Sequence, residues 1–72
     1  MDILFLEDEP TIQEVLTEYM RIQGYEVTCV QDGEEALGML KVRSFDMAVL
    51  DIMVPGVSGL EVLRYIKDER PE

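Results

Sequence analysis

The sequence predicts an α/β protein with a parallel sheet, its elements running βαβαβα. Three observations predict it. Short apolar runs alternate with longer stretches whose apolar residues recur at helical spacing. The helical stretches carry recognisable caps and breakers at their ends. Two of the apolar runs are continuous, the pattern of strands covered on both faces. Strands that alternate with helices of this length pair in parallel through right-handed crossovers.

The elements follow in order. Ile3-Leu4-Phe5-Leu6, bounded by acids, reads as a buried strand. Pro10 suits the first turn of a helix, along which Ile12, Val15, Leu16, Tyr19 and Ile22 form an apolar stripe. Gly24 closes that helix. Tyr25 to Val30 is a second strand, rich in β-branched and aromatic residues. Asp32, with Glu35 three residues on, opens a second helix whose buried stripe is Ala36, Leu37, Leu40 and Val42. Met47-Ala48-Val49-Leu50 is a third strand, closed by Asp51. After a Pro55-Gly56 loop, Ser58 and Glu61 form a capping box for a third helix, with Leu60, Leu63 and Ile66 facing inward and Pro71 ending it. No linker or low-complexity stretch interrupts residues 1–72, which read as one domain.

Composition narrows the function classes. Sixteen acidic residues against six basic ones leave a formal net charge of −10. Nucleic acid and anionic membrane surfaces both need a basic patch, so neither is an expected partner. Metal cations and basic protein surfaces are favoured instead. The chain has no histidine and one cysteine, which excludes an intramolecular disulfide, a Cys/His zinc site and a Ser-His-Asp triad within one chain. Cys29, inside Val27-Thr28-Cys29-Val30, reads as a reduced packing residue. No apolar run approaches the ~20 residues of a membrane span, and the acidic N-terminus is unlike a signal peptide. A soluble, cytoplasmic protein is expected, and no catalyst acting on a separate substrate.

A faint repeat points to chemistry. Asp2-Ile3-Leu4-Phe5-Leu6-Glu7 aligns with Asp46-Met47-Ala48-Val49-Leu50-Asp51, each an acid, four apolar residues and an acid. The alignment puts Glu7 and Asp51 at equivalent C-terminal strand ends, where open α/β sheets bind ligands. If the first and third strands are neighbours, the two acids lie ~5 Å apart, and Asp8 leans over the same crevice. Carboxylates that close repel, so one binds a proton or a cation fills the gap. Hard oxygen donors suit Mg²⁺ or Mn²⁺. A carboxylate beside such an ion can attack phosphorus. Strand ends also meet solvent, so spacing alone leaves open a solvated loop that favours the N-terminus of the first helix.

Several segments, in order and at consistent spacing, then carry a family resemblance. They are Ile3-Leu4-Phe5-Leu6-Glu7-Asp8-Glu9-Pro10, Gly24-Tyr25-Glu26-Val27, Asp32-Gly33-Glu34-Glu35-Ala36-Leu37, and the run from Phe45 to Gly56 followed by Ser58-Gly59-Leu60-Glu61. Along its whole length the chain resembles the receiver domain of two-component response regulators. The resemblance implies a flavodoxin-like fold, here partial, with three parallel strands in the order 2-1-3 and three helices. It implies that Asp51 is the phosphoacceptor, that Glu7 and Asp8 help hold Mg²⁺, and that Met53 offers the ion its backbone carbonyl. Pro55 and Gly56 would shape the pocket floor, and the phosphodonor would be a sensor histidine kinase.

The resemblance also implies parts that these residues do not supply. The family's fourth strand ends in a Ser or Thr and its fifth in a Lys, both touching the phosphoryl group. Lys41 and Lys67 match neither position. Residues 1–72 therefore read as the N-terminal portion of a receiver, with phosphorylation impaired. The third strand is expected to present an open edge, and the sheet face around Phe5 and Val49 to be partly uncovered. Both favour self-association as a homodimer or oligomer. The alternative is an interaction module or receiver fragment without phosphotransfer.

Overall fold

The computed structural model describes residues 1–51, 56 and 58–69. Three strands, β1 (Asp2–Leu6), β2 (Glu26–Val30) and β3 (Met47–Leu50), alternate with helices α1 (Pro10–Ile22), α2 (Gly33–Val42) and α3 (Gly59–Glu69). The sheet is wholly parallel in the order β2-β1-β3. The partial flavodoxin-like arrangement is therefore as expected.

Local chemistry sets the boundaries. The Glu9 carboxylate accepts from the N–H groups of Thr11 and Ile12, at 3.3 and 2.9 Å, and Pro10 needs no such partner. Gly24 has φ +95°, a conformation that costs other residues a Cβ clash, and it turns the chain out of α1. Asp32 caps α2 by accepting from Glu35 N–H at 2.8 Å, while the Glu35 carboxylate reaches back to Gln31 N–H at 2.8 Å. Ser58 Oγ accepts from Glu61 N–H at 3.3 Å and opens α3.

The sheet separates two apolar layers. Leu4, Leu6, Val30, Ala36, Leu40 and Val62 form the core beneath α2 and α3. Ile3, Phe5 and Val27, with Met20, Cys29 and Val49 against them, form the layer beneath α1. Leu4 and Leu6 lie on one face and Ile3 and Phe5 on the other, the period-two alternation of a central strand.

Four expectations about side-chain direction need correction. α1 packs mainly against β2, and it meets the sheet through buried Thr17 and half-buried Gln13 and Met20. Its stripe of Ile12, Val15, Leu16, Tyr19 and Ile22 is exposed, Ile22 to 73%. α3 is turned by one residue, about 100°. Val62, Tyr65 and Ile66 meet the core, while Leu60 and Leu63 face outward. Val42, in the last turn of α2, is exposed. Phe5 is only 2% exposed, because Met20 of α1 packs over its layer, whereas Val49 is half-buried as expected.

Candidate metal centre

The central position of β1 builds the site. Its C-terminal end lies between β2 and β3: Glu7 N–H donates to the Val30 carbonyl at 3.1 Å, and Asp51 N–H donates to the Leu6 carbonyl at 3.0 Å. These two backbone bonds fix the neighbouring strand ends, so Glu7 and Asp51 sit side by side as the internal repeat suggests. Oxygen atoms of Glu7, Asp8 and Asp51 all lie within 4.8 Å of one another. Glu7 is buried at 8% exposure, Asp51 is half-buried and Asp8 is exposed.

Three successive acids divide their tasks. Glu9 is used by the helix, capping α1. Glu7 is held from two directions: its Oε2 accepts from Glu9 N–H at 3.1 Å, and its carbonyl accepts from Gln13 Nε2 at 3.0 Å. Asp8, between them, is left toward solvent beside Asp51. Gln13 is a positioning residue that the sequence does not flag, since nothing in its spacing separates it from an ordinary surface glutamine.

Like charges at this distance oppose one another. Asp8 is exposed and Asp51 half-buried, so solvent screens that repulsion to about 1 kcal/mol per pair. A small divalent cation removes that cost, and carboxylate oxygens are the donors Mg²⁺ prefers. The residues present therefore fit such an ion. At the opposite end of the same strands Asp46 and Asp2 are engaged within the chain. Asp2 N–H donates to Asp46 Oδ2 at 2.7 Å, and Arg43 Nη2 lies 3.7 Å from Asp2 Oδ2 while its guanidinium stacks over the Phe45 ring.

Met53 and Pro55 fall outside the described residues. Gly56 is described: it has φ +73°, and a Cβ there would meet Glu34 Oε1 at 3.0 Å. Gly56 thus comes close to Glu34 in the first turn of α2, at a position where a side chain is disfavoured twice. No described helix is long and apolar enough to cross a membrane.

The family model for the response regulator receiver domain matches residues 3–72. The chain is 35% identical over 69 residues to the probable transcriptional regulatory protein TcrX of Mycobacterium tuberculosis, covering 96% of this chain and 30% of that protein. Among solved structures it is similar to the response regulator TrrA of Thermotoga maritima in complex with Mg²⁺ and BeF. There the identity is 41%, with 97% of this chain and 61% of that one covered, at a TM-score of 0.92. It is also similar, at 41% identity and a TM-score of 0.91, to a chain in the complex of the histidine kinase ThkA with TrrA, covering 99% of this chain and 61% of that one. The chain spans under a third of the curated relative and about three-fifths of the solved chains.

Proposed function

The chain belongs to the response regulator receiver domain family, and from that premise we propose that Asp51 is its phosphoacceptor, within an acidic pocket that binds Mg²⁺. The observation that carries this reading is the meeting of the Glu7, Asp8 and Asp51 carboxylates at neighbouring strand ends. Glu7, Asp8 and Asp51 would hold the ion, joined by the backbone carbonyl of Met53. Mg²⁺, or Mn²⁺ in its place, supplies positive charge that offsets the carboxylates and the oxygens of an incoming phosphoryl group.

The rest is done by the chain itself. An Asp51 carboxylate oxygen attacks phosphorus, and the bond between phosphorus and the donor's leaving atom breaks. The Leu6 carbonyl holds the backbone of Asp51, and the Gln13 amide, through the Glu7 carbonyl, keeps Glu7 alongside. A sensor histidine kinase is the proposed donor, supported by the likeness to a chain of a kinase–regulator complex. These residues act as a signalling module in the cytoplasm. The net charge of −10 supports a role that does not involve nucleic acid or membrane.

Incubation with Mg²⁺ and acetyl phosphate, followed by intact mass measurement, tests the reading. A phosphoryl adduct that is absent in Asp51→Asn and absent under chelation is expected. An adduct retained in Asp51→Asn sinks it.

A second reading rests on the outer edge of β3. Because Asp51 N–H turns toward β1, alternation turns the backbone groups of Ala48 and Leu50 outward, where they meet no partner among the described residues. With half-buried Val49 on the same strand, this edge supports pairing between two copies of the chain. A compact monomer in sedimentation at micromolar concentration rules it out.

A further inference from the structure

β2 also has an open side, since the order is β2-β1-β3. Glu26 N–H donates to the Met1 carbonyl at 2.9 Å, and the Val30 carbonyl accepts from Glu7 N–H. Parallel pairing alternates, so Glu26, Thr28 and Val30 turn their backbone groups to β1, while Tyr25, Val27, Cys29 and Gln31 turn theirs outward. Much of that outer edge is occupied from within the molecule. Tyr25 N–H donates to the Met20 carbonyl at 3.1 Å, and Gln31 N–H donates to Glu35 Oε1 at 2.8 Å. Between these two blocked ends, Arg21 Nη2 donates to the Val27 carbonyl at 3.2 Å.

We infer that Arg21 is an edge latch: by occupying the Val27 carbonyl it keeps the β2 edge of one copy from pairing with the β2 edge of a second. The two end contacts confine any incoming strand to Val27 and Cys29. Across a two-fold axis an antiparallel neighbour sets Val27 of one copy opposite Cys29 of the other, each N–H facing the other's carbonyl. That pairing is self-complementary and short, and it requires the acceptor that Arg21 holds. A guanidinium suits the task because it donates without accepting and its charge resists desolvation in a strand interface. The latch can also open. Arg21 is exposed and borders a groove of about 580 Å³ between α1 and β2, where Glu14 and Glu18 offer carboxylates on the same helix. Glu18 lies three residues before Arg21, within reach along the helix surface.

The test compares the 72-residue chain with Arg21→Ala and Arg21→Gln at about 0.15 M salt, where screening reduces repulsion between acidic copies. Amide hydrogen exchange is followed residue by residue over a concentration series, with circular dichroism reporting the fold. Both variants are expected to show exchange at Val27 and Cys29 that slows about tenfold as concentration rises, the scale of one or two net hydrogen bonds, while the wild type stays flat at these positions. The latch is overturned if the variants stay flat as well, or if the slowing falls only on Ala48 and Leu50. That last result also separates this inference from association through β3.

Discussion

The two edges of the sheet are built differently. On β2 the outward backbone groups at Tyr25, Val27 and Gln31 are met by Met20, Arg21 and Glu35, partners no more than six residues away in sequence. On β3 the outward groups of Ala48 and Leu50 meet none among the described residues, and the strand end beside them holds Asp51. An edge that is to stay an edge can be closed cheaply by neighbours in sequence. The three carboxylates proposed as the phosphoryl and cation site therefore meet on the β1–β3 side of the sheet.

The largest expected effect tests the chemical side. Asp51→Asn should abolish phosphoryl uptake from acetyl phosphate while leaving the circular dichroism spectrum intact. If uptake persists at another residue, the contrast between the edges loses its functional meaning. Next is the cation. Saturating Mg²⁺, at about 100 times its dissociation constant, should stabilise the fold by about 2.7 kcal/mol in thermal melts, and Asp8→Asn should remove most of that gain. Stabilisation that survives in Asp8→Asn places the ion elsewhere.

Paired truncations compare the edges directly. Val27→Ala on β2 removes buried methyl groups and should cost about 2 kcal/mol in urea denaturation. Val49→Ala on β3, whose side chain is only half-buried, should cost about 1 kcal/mol. Equal costs mean that the β3 side is covered in solution, as pairing of two copies would make it. The smallest effect concerns the caps. Asp32→Ala, which frees Glu35 N–H at the start of α2, should lower stability by about 1 kcal/mol in the same assay, with no change in phosphoryl uptake.

Much of this was legible because it is local. Asp32 with Glu35, Pro10 and Gly24 announce helix ends through contacts that span a few residues, and the structure uses each of them. The acids at Glu7 and Asp51 were legible through the repeat, because parallel strands of equal length end at equal depth. Side-chain direction on the helices was less legible. The stripe on α1 is apolar and correctly spaced, yet Thr17, Gln13 and Met20 face the sheet instead. Periodicity states that a helix has an apolar face. It does not state which neighbour that face meets. The same holds on α3, where choosing Leu60 and Leu63 over Val62 and Tyr65 is a rotation of one residue.

By itself the sequence determined the element order, the strand-end acids and the family, since these depend on residue types and spacing along the chain. Only the tertiary structure decided that the Glu9 side chain caps α1, that Gln13 holds Glu7, and that Arg21 meets the Val27 carbonyl on the β2 edge. Each of these is a choice among side chains of similar chemistry. It is made by the packing of α1 against β2, which sets the distances that electrostatics and hydrogen bonding then act upon.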